Sequence, residues 1–333
     1  MNLYRDTTIQ VRCDIQGNLT KPIPVYKGVR QGCILAPLLF NLYLNDLSAF
    51  ISLEAHHSKL AAVSIPLLLY ADDAVLLSFS KIGLRQILRA FGGYCEENCL
   101  TINYSKTKIM VFSKNQRRSK WTLNGHSLEQ VKTFKYLGIT FQSSRGWTSQ
   151  RSAVIQSAKN SAMALVRFFY TRGGQFLPAA MKVFQAKVLP QLLFRIPIWI
   201  LGFSGALEQV LSAYLRKLFG VSNCVPSAVL RLEAGCHSVE CTAWTWALKY
   251  WLKLYAGPDS GFLQLVRKDN YTTLWSKSIQ EKLLRVGFSS NFLITQDLLR
   301  VQQILTRRIK DIDLQYSLSS ARTTCSPVSL GLV

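Results

Sequence analysis

Residues 65–79 read Ile65-Pro66-Leu67-Leu68-Leu69-Tyr70-Ala71-Asp72-Asp73-Ala74-Val75-Leu76-Leu77-Ser78-Phe79. Two apolar runs, each of strand length, flank Ala71-Asp72-Asp73, and the pattern predicts two buried strands joined by an acid-bearing turn. One reading is a hairpin whose polar corner meets water, because Asp is at home in turns, where its carboxylate bonds its own backbone. The other reading is functional. Two carboxylates on a rigid hairpin suit Mg²⁺, a hard cation that takes oxygen ligands and keeps waters or substrate phosphates in its remaining positions.

Working outward, Gly28-Val29-Arg30-Gln31-Gly32-Cys33 leads through Pro37 into Leu38, Asn41, Leu42 and Asn45 at helical spacing, a loop entering a helix with proline in its first turn. Nearer the start, Ile9–Cys13 and Thr20–Gly28 alternate about the turn-forming Asp14-Ile15-Gln16-Gly17-Asn18, which predicts a β-hairpin. Downstream, Ile82–Glu97 places Leu84, Ile87, Leu88 and Phe91 on one helical face. Strands are predicted at Thr101-Ile102-Asn103, at Lys108–Phe112, and after a basic loop at Trp121–Gly125 and Val131–Phe141, with Asn124-Gly125 a strong hairpin turn.

Beyond Arg145 the periodicity becomes helical. Val154, Ala158, Ser161, Leu165 and Phe168 share one face, Gln156, Lys159, Asn160 and Arg167 share the other, and Gly173-Gly174 ends that helix. Further helices are predicted from Pro178, over Leu207–Phe219, and within Ala228–Leu254 and Ile279–Asp313.

Of 333 residues, 49% are hydrophobic and 17% charged, enough apolar side chain to bury a core in about two domains. Forty Lys and Arg against 18 Asp and Glu give a net charge of +22. Such a balance argues for a polyanionic partner, with nucleic acid favoured and an anionic membrane surface as rival. From Gln130 to Leu207 ten cations stand with no acid, interleaved with Phe134, Tyr136, Trp147, Phe168, Phe169 and Tyr170. That mixture suits phosphates and stacked bases.

The eight cysteines have no even framework of spacings and the first residues carry no apolar signal region, so reduced thiols and an intracellular, non-secreted setting, nuclear or cytoplasmic, are expected. Cys33–Leu53 and Val188–Phe203 are apolar, but Asn41, Asn45 and Asp46 interrupt the first and Pro190, Arg195 and Pro197 the second. Both are expected to be buried helices rather than membrane spans. Cys224, Cys236, His237 and Cys241 lack zinc-ligand spacing and read as isolated thiols. Cys95 and Cys99 read as packing residues, and Trp244, Trp246 and Trp251 as core.

Set in order, these segments resemble reverse transcriptases of non-LTR (LINE-type) retrotransposons. Gly28–Cys33 with Pro37 and the following LFNLYLNDL resemble that family's motif B, and Tyr70-Ala71-Asp72-Asp73 resembles motif C. Leu100–Asn103 with Lys106-Thr107 and KIMVFS resembles motif D, and Phe134-Lys135-Tyr136-Leu137-Gly138 resembles motif E, the primer grip. The resemblance implies an α+β fold: a partial right-hand polymerase palm, an antiparallel sheet with packed helices, over 1–142, an all-helical thumb over 143–203, and a helical C-terminal region over 204–333. It implies RNA-directed DNA polymerase chemistry, in which two Mg²⁺ ions activate the attacking 3′-oxygen and stabilise the leaving pyrophosphate. An RNA template, a DNA primer or their hybrid, and a dNTP would be the partners, in a ribonucleoprotein.

The same resemblance gives each residue a task. Asp72 is the principal motif C metal ligand and Asp73 a second carboxylate at the same site. Lys106 steadies the triphosphate and protonates pyrophosphate. Tyr70, Arg30, Gln31 and Gly32 face nucleotide or template: Gln31 both donates and accepts, Gly32 lets backbone approach closely, and Arg30 either contacts phosphate or braces the loop. Tyr136, Leu137 and Gly138 position the primer end, while Lys159 and Arg167 follow the nucleic-acid backbone.

The sequence departs from the family upstream of motif B. The first catalytic Asp belongs to motif A, upstream of motif B, and the 27 residues before Gly28 offer only Asp6 and Asp14, neither suitably placed. The expectation is a reverse-transcriptase fragment holding half of the carboxylate set and inactive by itself. The alternative is a non-catalytic RNA or RNA/DNA-hybrid binding protein derived from such an element.

Overall fold

The computed structural model describes residues 8–13, 17–25, 28–29, 32–54, 59–60, 63–113, 118–170, 176–256, 273–289 and 297–324. The chain divides into two compact units, Met1–Thr107 with Lys120–Leu128, and Lys108–Ser119 with Glu129–Val333. Helices and small sheets mix throughout, which makes the class α+β.

The first unit begins with strands β1 (Thr8–Ile9) and β2 (Ile23–Pro24), paired antiparallel. An Arg12–Leu19 bridge and a 2.8 Å bond from Cys13 N–H to the Asn18 carbonyl close the hairpin, as the alternation predicts, although Asp14–Gln16 lie outside the described residues. Pro37 sits in the first turn of helix α1 (Ala36–Tyr43), where its missing N–H costs nothing. After a break comes α2 (Leu47–Glu54), then the short pair β3 (Lys59–Leu60) and β4 (Val63–Ser64). Next are β5 (Leu67–Tyr70) and β6 (Asp73–Leu76).

Helix α3 (Lys81–Glu97) starts at Ser80, whose side chain accepts from the Gly83 N–H, satisfying one of the donors a helix start leaves open. Ile87, Ala90 and Tyr94 of α3 meet Leu44, Leu47 and Ile51 in one core. The buried Tyr94 hydroxyl lies 2.5 Å from Asp46 and 3.2 Å from the Tyr43 carbonyl, which fixes the α1–α2 break against α3. Burial, then the Asp46 carboxylate, raises the proton affinity of this phenol.

Three expectations fail here. The strands flanking the acids are not buried: Leu68, Leu69 and Tyr70 are exposed. Only Leu67 and Leu76, at the open end of the hairpin, pack on the core, because β5 and β6 form a two-stranded sheet whose Leu68–Tyr70 end no described residue buries. Helix α1 likewise buries only Ala36, with Leu38 and Leu42 exposed, so Cys33–Leu53 is buried only in its α2 half. Thr101–Asn103 is irregular rather than a strand, since Asn103 spends its side chain and carbonyl on a turn.

Strand β7 (Lys108–Ile109) is shorter than the predicted Lys108–Phe112 and belongs to the second unit. Strands β8 (Trp121–Leu123) and β9 (His126–Gln130) join through Asn124 (φ 47°) and Gly125 (φ 77°), the two left-handed residues of a type I′ turn. Within the second unit the end of β9, Glu129–Gln130, pairs in parallel with β7. The sheets are therefore mixed rather than purely antiparallel. Strands β10 (Thr133–Tyr136) and β11 (Ile139–Gln142) form a second hairpin.

Helix α4 (Thr148–Tyr170) buries Val154, Ala158 and Ala162 as the 3.6-residue period requires, but at its end Phe169 is buried and Phe168 exposed. The predicted stop at Gly173-Gly174 lies outside the described residues. Helix α5 (Leu177–Val183) opens on Pro178 and widens into a π turn over Phe184–Val188, just ahead of Pro190, which has no N–H to return to Ala186. Short helices α6 (Leu189–Leu192) and α7 (Ile196–Trp199) follow, then α8 (Gly205–Phe219), α9 (Ser227–Glu233), α10 (Val239–Ala256), α11 (Leu274–Arg285) and α12 (Leu298–Thr324). Val188, Leu192, Ile196, Trp199, Leu207, Tyr214 and Trp251 all enter one core. Residues on both sides of Phe203 thus fold around the same interior. Among the described residues no single helix is long and apolar enough to cross a membrane.

Candidate functional site

The β5–β6 hairpin pairs Tyr70 with Asp73, leaving Ala71 and Asp72 as a two-residue turn. Ala71 has φ 51°, a left-handed backbone that a side chain disfavours by about 1–2 kcal/mol. Asp72 stands at the tip, Asp73 opens β6, and both are exposed. Among the described residues neither carboxylate has a cation or hydrogen-bond donor as partner. They are thus available, on a turn that holds some strain, as functional turns often do.

The divalent ion implied by the resemblance fits these residues in kind, because the donors are hard carboxylate oxygens on a short hairpin. It fits only half in number. Among the described residues no third His, Cys, Asp or Glu stands with Asp72 and Asp73.

Tyr70, 61% exposed, shares this hairpin. Lys106 lies in a turn built by Asn103, whose Oδ1 accepts from the Lys106 N–H at 3.1 Å and the Ser105 hydroxyl at 2.8 Å. The Asn103 carbonyl accepts from the Thr107 hydroxyl at 2.8 Å. Tyr104 of the same turn stacks on His126, with ring centroids 3.9 Å apart. Gly32 has φ 81° and open space where a Cβ would stand, so it is the backbone conformation and not crowding that favours glycine. Arg30 and Gln31 lie outside the described residues.

In the second unit the β10–β11 turn is Leu137 (φ 46°) and Gly138 (φ 83°), with Tyr136 paired to Ile139 across it. A Cβ on Gly138 would stand 2.7 Å from Cε1 of Phe194, so glycine is needed for close packing as well as for its backbone. Trp199 Nε1–H donates to the Phe194 carbonyl at 2.9 Å, and the Arg195 guanidinium lies 5.6 Å from the Phe194 ring centre. The Thr140 N–H donates to Oε1 of the buried Gln150 at 2.8 Å, which pins β11 to α4. Lys159 and Arg167 lie exposed on α4.

The Asn103 turn was visible in principle, since Asn followed by polar residues and Thr is a common local capping pattern. Phe194 over Gly138 was not, because 56 residues separate them and neither has a local signal. The structure brings Tyr70, Asp72 and Asp73 together on one hairpin and Tyr136, Leu137 and Gly138 on another.

Residues 2–141 match the family model described as reverse transcriptase (RNA-dependent DNA polymerase). This stretch belongs to the reverse transcriptase family. The chain is 32% identical over 139 residues to a retrovirus-related Pol polyprotein from type-1 retrotransposable element R2 of Popillia japonica, covering 39% of this chain and 23% of that protein. It is 24% identical over 241 residues to a probable RNA-directed DNA polymerase from transposon BS of Drosophila melanogaster, covering 68% of this chain and 26% of that protein. A third similar protein is the RNA-directed DNA polymerase from mobile element jockey of the same fly, 22% identical over 231 residues, covering 66% and 24%.

The relatives are of the non-LTR type that motifs B to E led us to expect. The two longer matches exceed the 141 residues at which the family model ends, so similarity to reverse transcriptases continues into the helices of the second unit. The chain spans about a quarter of the length of these curated relatives.

Proposed function

We propose that this segment serves RNA-directed DNA synthesis within a longer non-LTR element protein, in an intracellular ribonucleoprotein. Asp72 and Asp73 supply two oxygen ligands to the divalent metal site, and the β10–β11 turn with α4 holds the primer–template. The observation that carries this reading is the tight Ala71–Asp72 turn, which presents two carboxylates that are unpartnered among the described residues, within a stretch that matches the reverse transcriptase family.

Bound divalent ions would supply the charge neutralisation that phosphoryl transfer requires. The chain's own residues present carboxylate oxygens at the hairpin tip, place Lys106 on a braced turn and hold the Leu137–Gly138 turn firm against Phe194. Since two carboxylates fill only part of a two-ion site, a further acid has to come from a neighbouring strand, the role of motif A in the family. The 333 residues alone are then poor catalysts.

The second reading, binding without synthesis, draws on ten cations with no acid from Gln130 to Leu207. One titration separates the two. An RNA–DNA hybrid binds with affinity that falls steeply as salt rises, Lys159→Ala and Arg167→Ala each weaken it, and Asp72→Ala leaves it nearly unchanged while reducing Mg²⁺-dependent incorporation of the nucleotide by the longer protein by roughly 100-fold or more. Salt-insensitive binding would remove both readings. Full incorporation by the Asp72→Ala protein would leave only the second.

A further inference from the structure

The sequence offers Cys236, His237 and Cys241 as isolated ligand types; the fold adds an acid from far along the chain. His237 and Cys241 bracket the start of α10, and Asp313 arrives on α12. A His237 ring nitrogen, Cys241 Sγ and an Asp313 oxygen all lie within 4.8 Å of one another, and His237 Nδ1 is 3.3 Å from Asp313 Oδ2.

From this juxtaposition we propose that His237, Cys241 and Asp313 bind a divalent transition-metal ion of the zinc class, with a fourth position open to solvent. The site is independent of the polymerase reading.

Three features support it. The donors are pre-positioned by Ser238, whose N–H donates to Asp313 Oδ2 at 3.0 Å and whose hydroxyl donates to Asp313 Oδ1. The Cys241 N–H in turn donates to Ser238 Oγ at 3.0 Å. Such outer hydrogen bonds orient ligating groups. Zinc bonds of about 2.0–2.3 Å place tetrahedral donors roughly 3.5 Å apart, so side-chain movements of about 1 Å close the set around an ion.

The charges balance as well. A thiolate and a carboxylate together neutralise a divalent ion, and the imidazole is neutral. Metal binding forms the metal–sulfur bond, breaks the S–H bond and releases the proton to solvent. Thiolate with imidazole prefers zinc-class ions to Mg²⁺.

The third feature is access. A cavity of about 300 Å³, lined in part by His237, Ser238, Cys241, Thr242, Trp246 and Lys310, adjoins the cluster and leaves room for a water in the fourth position, as in zinc sites with three protein ligands.

Cobalt(II) added to the full chain is the test, because thiolate coordination gives a near-ultraviolet charge-transfer band and tetrahedral geometry gives intense visible bands. The expected result is one equivalent of Co²⁺ with both features, displaced by one equivalent of Zn²⁺. Cys241→Ser removes the charge-transfer band, and Asp313→Asn weakens binding at least tenfold. His237→Ala, at a partly exposed side chain, must also weaken binding tenfold, which covers the case in which Cys241→Ser fails to fold. Absence of both features in the folded wild-type chain, or a charge-transfer band that persists in folded Cys241→Ser, overturns the proposal. So does a His237→Ala protein that binds Co²⁺ as tightly as wild type.

Discussion

Three residues hold left-handed backbone at or beside the proposed working surfaces: Ala71, Leu137 and Arg195. None is glycine, so each costs about 1 kcal/mol or more. Gly138 sits next to one of them with a side-chain-free approach to Phe194. Gly138→Ala is expected to destabilise the second unit by about 1–3 kcal/mol, part from φ and part from the clash. Phe194→Leu restores only the clash part, and urea unfolding of the two single variants and the double variant measures the split.

At this scale the sequence was legible where turn chemistry is local. Asn124-Gly125 announced its I′ turn, and Tyr70–Asp73 announced an acidic hairpin. It was silent on Ala71, where no Gly or Asn flags the positive φ, and on Phe194, whose partner is remote.

Among elements, the join of α8, α9, α10 and α12 rests on a buried ion pair. Arg231 Nη1 lies 3.0 Å from Glu208 Oε1, Arg231 Nη2 donates to the Ser317 hydroxyl at 3.2 Å, and Glu208 Oε2 accepts from the Val239 N–H at 2.8 Å. Burial raises the Glu208 pKa even though Arg231 opposes the shift, so desolvation outweighs the attraction. Losing one partner strands the other: Glu208→Leu or Arg231→Met alone is expected to cost about 3–5 kcal/mol, and the pair replaced together much less. Thermal unfolding of the three variants checks this, and additive losses would contradict it.

Elements with a clear period were readable: α3 starts one residue before its predicted start and ends where the pattern placed it, and α4 shows its predicted face apart from the exchange of Phe168 for Phe169. The strands around the acids misled. An apolar run is equally consistent with a buried strand and with a strand whose covering layer lies elsewhere, and periodicity carries no information about which.

For the molecule as a whole, the net charge of +22 is a statement about a polyanionic partner, and the reverse transcriptase match of residues 2–141 says which polyanions to try first. Hybrid binding should lose affinity steeply between low and physiological salt, with a log–log slope reduced by about one when Lys159 becomes Ala. Family membership was legible in four ordered motifs. Contacts rather than composition place Lys108–Ser119 with the second unit and gather the helices on either side of Phe203 into one core.

The central claim is that the Asp72–Asp73 hairpin is one part of a polymerase metal site completed by an acid from another segment. Primer extension on an RNA template with Mg²⁺ tests it, comparing the 333-residue chain with a chimera that places the upstream palm segment of the R2 relative before it. Extension is predicted from the chimera, lost on Asp72→Ala, and near background from the 333 residues alone. Equal extension by chimeras with and without Asp72 would contradict the claim.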